Sequence, residues 1–266
     1  METALTTDPF SRREKIKSIW RALAWRSWRE SRARFAAAFV LLTALVVYGV
    51  VTAPGYIARH NAHFLDKPLP YSVYVWSGLF HYALQGLWVL AAFVLTFGGL
   101  ARETGAGTAL FTLGLPLRRS HLFLIRAGMA WAQSIALGVG AALLIPLVSR
   151  FAGEWYPLDQ AVTFGALMSS AGVVILALGL LLSEIFEGEF TTPVVGLCAV
   201  TTLFFSYKAH VVPGWNVFDV MSAAACINPE TQLLHGAIPW AGLAVCVCAS
   251  LLLLICATFL VQRRDA

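Results

Sequence analysis

Six long apolar stretches leave this chain few ways to fold. They run over residues 35–52, 74–97, 121–148, 161–182, 191–207 and 239–261, separated by short segments that hold most of the charge. A helix needs ~20 apolar residues to cross a bilayer core, and each stretch reaches or approaches that length. Inside hydrocarbon every backbone N–H and C=O must find a partner within the chain, which a helix supplies by itself. The pattern predicts an all-α polytopic membrane protein with six transmembrane helices. An ordinary soluble domain is excluded, because 12% of the residues are charged and 59% hydrophobic, with a mean hydropathy of +0.73. Soluble chains carry roughly 25% charged residues. The net charge of +5 does not point to nucleic acid, since the basic residues crowd at membrane edges. Of five cysteines, Cys198, Cys246, Cys248 and Cys256 fall in spans and Cys226 in a loop, so neither a disulfide framework nor a zinc spacing is present.

Residues 1–34 hold nine Lys/Arg and no long apolar core, which is not the pattern of a cleavable signal peptide. Ile16, Ile19, Trp20 and Leu23 share one helical face opposite Lys17 and Arg21. That predicts an amphipathic helix lying in the headgroup region. Trp25 and Trp28 fall on its other side. Either the helix bends near Ala24 or they touch something else, a partner subunit included; they read as interfacial anchors. The first span follows at 35–52, closed by Pro54 and Gly55. His60, His63 and Asp66 come next at metal-like spacing, but no fourth ligand is apparent and they read as solvated loop residues.

Between the second and third spans, residues 102–126 are too short and too charged to cross a membrane. Thr108 can cap a short helix through its hydroxyl, and Gly105 and Gly107 allow the chain to turn sharply before it. Pro116 stops that helix by Leu115. What remains is about two turns carrying Leu110, Phe111 and Leu113, and a helix so short needs something to pack against. Arg118 and Arg119 follow at once, and Ser120 can cap the third span. The outcome is an apolar knob among positive charges.

The third span carries Gly128, Ala132, Ala136 and Gly140 at intervals of four, which permits close helix approach, and one interior polar residue, Gln133. Gln133 either lines a pathway or hydrogen-bonds a neighbouring helix. Gly165, Gly172 and Gly179 give the fourth span a small strip against which another helix should pack, within or between copies. Glu184, Glu187 and Glu189 then make an acidic turn, read as solvated or as a contact with a neighbour's basic surface. Between the fifth and sixth spans, Val217–Cys226 is apolar but too short to cross, and Asn228-Pro229 signals a second short helix over Pro229–His235. Two short helices dipping into the outer face fit this pattern. Residues 262–266 form a basic tail.

Fifteen of the nineteen Lys/Arg fall on the side of both termini and the 102–126 segment; the opposite loops hold Arg59, Lys67, Arg150 and Lys208. That bias places both termini and the segment in the cytoplasm. The chain has no phosphate-binding P-loop, and no span centre carries Asp, Glu, Lys or Arg, so neither ATP binding nor a buried ion relay is built into it.

Glu103, Gly107-Thr108, Pro116, Arg119 and Arg126 stand at the offsets common in the first cytoplasmic loop of ABC-2 type transporter permeases, which this segment resembles. The short outer elements between spans five and six, and the Trp28–Arg32 string before span one, resemble the same family. The resemblance implies a coupling helix at Leu110–Leu115, with Arg102, Glu103, Gly107, Thr108, Leu110, Phe111, Leu113, Pro116, Arg118 and Arg119 meeting a separate ABC ATPase that binds ATP and Mg. It further implies a second permease copy or a related chain as partner, export as the activity, and the inner (cytoplasmic) membrane as the location. The chain itself would be no enzyme and hold no cofactor or metal; its other partners would be membrane lipids. A non-transporting structural subunit of a larger complex is the alternative. An intramembrane enzyme is disfavoured, because the His60/His63/Asp66 and Glu184–Glu189 clusters lie on opposite sides and neither has a nucleophile–base pair.

Overall fold

The structure is a computed structural model that describes residues 9–64, 68–96, 119–186, 191–208 and 216–263; the side chains of residues 9–19, 119, 192 and 193 lie outside the description. The described residues are helical with no strand, apart from one isolated antiparallel bridge between Ile227 and Leu234. In chain order the helices are α1 (Pro9–His63), α2 (Tyr71–Thr96), α3 (Arg119–Phe151), α4 (Leu158–Ile185), α5 (Thr191–Lys208), α6 (Val217–Ser222) and α7 (Trp240–Arg263). Five of them, α1, α2, α3, α4 and α7, are long and apolar enough to cross a membrane. The apolar part of α5 is shorter, Val194–Ser206. α2 and α4 sit at the centre, whereas α1 and α7 turn Val40, Leu41, Val51, Leu251, Leu252 and Ile255 outward.

α1 departs from the sequence expectation of an interfacial helix followed by a span that ends at Pro54. It is one helix of 55 residues with Pro54 inside it. A proline removes the donor to the carbonyl four residues back. Here side chains supply hydrogen bonds to the adjoining turn: Thr52 Oγ1 donates to the Tyr48 carbonyl (2.7 Å) and Tyr74 Oη to that of Gly49 (2.9 Å). Such donors let membrane helices carry proline. Pro146 is likewise retained inside α3, where Ser149 Oγ donates to the Ile145 carbonyl (2.7 Å).

The core is centred on Trp88 of α2, which is fully buried and donates through Nε1 to the Ser134 carbonyl of α3 (3.0 Å). The glycine strip of α4 is covered within the chain. A methyl group added at Gly165 would meet Ala142 Cβ at 2.6 Å and the Gly138 carbonyl at 3.1 Å; at Gly172 it would meet the Trp88 ring, and at Gly179 Thr96 and Phe93. On α3 the close approach is at Gly138 rather than along the expected row. Gly128, Ala132 and Ala136 are exposed, and nothing lies within 4 Å of a methyl at Gly128. Helix phase is the reason: a step of four from Gly128 drifts around the cylinder, while Gly138 and Ala142 face α4 together.

At the end of the bundle opposite Thr96, α2 winds as a π-helix from Tyr74 to Leu84. This widened turn presents donors to the short α6. Trp76 Nε1 donates to the Ser222 carbonyl (3.1 Å), in the last turn of α6, where carbonyls lack intrahelical partners. Gln85 Nε2 donates to that of Phe218 (3.0 Å). Asn216 caps α6, accepting from the Phe218 N–H at 2.9 Å, and Ala223 ends it in the left-handed region at φ 54°. The second short helix expected at Pro229–His235 does not form. Asn228 Oδ1 accepts from the Glu230 N–H (2.9 Å), as a cap would, but Gln232 turns left-handed at φ 49°, and the Asn228 N–H bonds to the Leu233 carbonyl (3.0 Å). The local side-chain bond closes a turn instead of starting a helix.

Tyr156, between α3 and α4, is buried with no hydrogen-bond partner on its hydroxyl. Burial pushes its phenol well above the usual value of about 10, with Tyr71 and then Asp159 adding in the same direction. The neutral phenol therefore supports the fold below pH ~10, and that support is lost as pH rises further. Tyr156→Phe should leave the unfolding midpoint at pH 8 unchanged or raised by up to about 1 kcal/mol, since no bond is lost. It should also flatten the decline above pH 10. Thermal melts of both proteins from pH 8 to 11 check this; an equally steep alkaline decline in the variant refutes it.

Candidate functional site

α2 ends at Thr96 and α3 begins at Arg119, so these two stems carry the 97–118 segment. Both stems meet α1 through a polar cluster. Glu30 of α1 accepts from Arg26 Nε at 2.9 Å through Oε1, while its Oε2 lies 3.6 Å from Arg126 Nη2 of α3. Arg34 Nη1 donates to the Val94 carbonyl of α2 (3.3 Å) and Nη2 to the Glu30 carbonyl (3.4 Å). Gln133 Nε2 donates to Ser31 Oγ (2.7 Å), and Ser31 in turn to the Ser27 carbonyl (2.9 Å). Thus the interior glutamine of α3 binds a neighbouring helix, one of its two expected roles.

These groups surround a cavity of about 40 Å³ that Thr96, Ser183 and Glu184 also line. Gln133 Oε1 is buried there without a hydrogen-bond partner in the chain. Such a space takes water and is too small for cargo. Glu184 is buried at this cavity, which Glu30, Arg34 and Arg126 also line, rather than solvated in a turn. Glu187 and Glu189 lie outside the described residues. Beneath the polar groups sits a second apolar cluster, separate from the main core, formed by Phe123, Ala127 and Ala130 of α3, Leu176 and Leu180 of α4, and Ala257 and Val261 of α7.

Magnitudes decide what the cluster does. Glu30 and Arg126 keep 36% and 22% of their side-chain exposure, so their attraction is screened and contributes about 0–1 kcal/mol. Apolar packing holds the end together, and the charges set the register of α1 against both stems.

Of the residues the sequence singles out, Arg102, Glu103, Gly107, Thr108, Leu110, Phe111, Leu113, Pro116 and Arg118 lie outside the described residues. Arg119 is the first residue of α3. Ile16 and Ile19 stand on α1 with their side chains outside the description. On the face expected to lie on lipid, Trp20 and Leu23 reach α3. Trp20 meets His121 edge-on at 5.7 Å, and Leu23 lines a crevice with Leu122 and Phe123. Trp25 is 63% exposed on the other side, and Trp28 packs on Phe35 at 5.6 Å. The bend considered at Ala24 is absent, since α1 is helical through it. His60 lies between Tyr56 and Phe64, and His63 Nδ1 is 2.9 Å from the Arg59 carbonyl; Asp66 is outside the description. No grouping of metal-ligating side chains occurs among the described residues.

Sequence reasoning passed over Glu30, Arg34 and Ser31 as site residues. Their signal was present: Glu30 belongs to the Trp28–Arg32 string and Arg126 closes the 102–126 segment, and the structure pairs them.

This fold defines a class, the α-helical multi-pass membrane protein. No protein-family model matches the chain, and no curated protein matches it.

Proposed function

We propose that this chain is the membrane-spanning permease subunit of an ABC-2 type transporter, with the 102–119 segment docking on a separate ATPase. The observation that carries the reading is the linkage at the stems: Glu30 with Arg126 and Arg34 with the Val94 carbonyl tie the helices on both sides of that segment to α1. A push on the segment would then move α1, α2 and α3 together rather than bend a free loop. In this reading α5 is a further crossing, giving six spans, with both termini and the segment in the cytoplasm of an inner-membrane protein. ATP and Mg belong to the partner. Two such chains, or this chain and a related one, enclose the route, and ATP-driven closure of two ATPases rocks them between inward- and outward-open states, exporting a substrate.

Leu110, Phe111 and Leu113 fill a groove on the ATPase in this scheme, and Glu103, Arg118 and Arg119 guide its rim. A buried aromatic anchor is worth about 2 kcal/mol or more and an exposed rim charge about 0–1 kcal/mol. The test is purification of the tagged chain from its host in mild detergent, with mass spectrometry of what accompanies it and an ATP hydrolysis assay. The expected result is an ABC ATPase at one copy per permease, lost in Phe111→Ala with Leu113→Ala and largely kept in Arg118→Ala. An ATPase that stays coupled in the double variant overturns the docking assignment. Recovery with other membrane proteins and no ATPase favours the structural-subunit alternative.

A further inference from the structure

Arg21, Trp25, Trp28 and Arg32 follow one another at steps of four, three and four, which places them on one stripe of α1. Between that stripe and Met129 of α3 lies an open groove of about 730 Å³, lined by Arg21, Ala22, Ala24, Trp25 and Trp28. It is wide open to its surroundings, unlike the water-sized cavity at the stems, and so suits a molecule lying along the surface of α1. From the groove an aromatic ladder runs on along α1: Trp28 packs on Phe35 at 5.6 Å, and Phe35 on Phe39 at 6.3 Å. The ladder ends among Phe39, Val40 and Leu41, all exposed in the apolar part of the helix.

The charges around this groove differ from those of the stem cluster. Arg26, Arg34 and Arg126 are engaged there. Arg21, Arg29 and Arg32 are exposed, and no carboxylate pairs with them among the described residues. Arg21 lines the apolar groove and Arg29 and Arg32 follow it along α1, a pattern that suits an occupant negative at one end and long-chained at the other. A guanidinium grips a phosphate by two parallel hydrogen bonds. The Trp25 ring offers an apolar face with an indole N–H, the combination that sits at headgroup level. The ladder runs from Trp28 past Arg32 toward the apolar part of α1, the direction an acyl chain would take from a headgroup at Arg21.

We infer that the Arg21–Trp25–Trp28–Arg32 stripe and its groove form a binding site for an anionic phospholipid, with the phosphate held by Arg21 beside Trp25, Arg32 adding positive charge about three turns further along the helix, and an acyl chain laid along Trp28, Phe35 and Phe39. The site lies on the face of α1 turned away from the Trp20–His121 contact, and it does not depend on the docking of an ATPase.

The test uses the full chain in lipid nanodiscs of phosphatidylcholine doped with brominated phosphatidylglycerol or, at equal mole fraction, brominated phosphatidylcholine. Bromine quenches tryptophan at contact, and the difference between the chain and Trp25→Phe isolates Trp25. The site requires stronger quenching of Trp25 by the anionic lipid than by the zwitterionic one. The excess should fall roughly tenfold in Arg21→Gln with Arg32→Gln. It should weaken at high salt in the unaltered chain and persist in Arg59→Gln, at the other end of α1. Equal quenching by both lipids overturns the site, as does an anionic excess that survives loss of both arginines. Shielding of Trp25 from both lipids in a chain that runs as a dimer overturns it too, because a second copy then covers the groove. The salt series needs no variant, so the inference stays testable if the double substitution does not fold.

Discussion

Trp88→Ala is expected to cost about 3–5 kcal/mol of stability, as for other large-to-small changes in a packed core. Trp88 is fully buried where α2 meets α3 and α4, and its ring covers the positions at which Gly138 and Gly172 have no side chain. Glycines on two helices leave space for the indole, which shares the Gly138 position with the Ser169 hydroxyl. The indole N–H also reaches the Ser134 carbonyl at 3.0 Å. In a bilayer the loss is mainly one of van der Waals contact and of that bond, because lipid tails solvate apolar groups as well as a core does. SDS titration of the protein in mixed micelles, followed by circular dichroism, measures the loss. Trp240→Ala, at a residue 69% exposed, is the comparison and should move the midpoint little. Equal shifts in the two variants would remove Trp88 from the centre of the fold.

The helical class and the long helices are legible in the sequence because membrane burial imposes a length, and length survives without tertiary information. Pro54 is different. Whether a proline ends a helix depends on who satisfies the carbonyls around it, and the Tyr74 hydroxyl that helps comes from 20 residues further on. The π-wound stretch of α2 escapes for the same reason: its Trp76, and Gln85 just after it, reach α6 carbonyls far along the chain. Asn228 is legible as a local acceptor but not as a turn, because cap and turn begin with the same bond and part only at Gln232. The glycine strip of α4 announces close packing, while its partners, Ala142 and Trp88, are fixed only by helix phase. At the stems, the sequence pointed to Arg126 and to the string containing Glu30 without showing that they meet, since a pair 96 residues apart leaves no periodic trace. Composition hides Glu184 similarly; three glutamates in a row of eight look solvated until the fold buries one of them at a cavity lined by residues of other helices.

The second apolar cluster bears on how a push at the stems would spread. It joins α3, α4 and α7 and is separate from the Trp88 core. Force entering at Arg119 would thus meet two packed bodies, one under the stems and one at the bundle centre, with α1 tied to the first by Glu30 and Gln133. Two bodies joined by helices that pass through both can shift against each other more readily than one continuous core can deform. A transporter that alternates between two packings would use such a division.

The helix contact between those passages is where a single methyl group should matter most. At Gly165 an added Cβ would stand 2.6 Å from Ala142 Cβ, 3.1 Å from the Gly138 carbonyl and 3.3 Å from Val139 Cα. Two of these three atoms are backbone, so no rotamer change relieves the clash and α3 and α4 must move apart. Gly165→Ala is therefore expected to cost about 1–3 kcal/mol, the usual range for overpacking, and Gly165→Leu to prevent stable folding. Gly128→Ala on α3, with nothing within 4 Å, should gain up to about 1 kcal/mol from helix propensity alone. At Gly172 an added methyl would meet the Trp88 ring most closely and the Met168 carbonyl at 2.7 Å. Combined with Trp88→Ala, that methyl enters the space the indole leaves. The double variant should accordingly lose less than the sum of its parts, by about 0.5–3 kcal/mol of coupling. Unfolding midpoints of the two singles and the double decide it: strict additivity would mean that the Met168 carbonyl rather than the approach of Trp88 sets the cost of a methyl at Gly172.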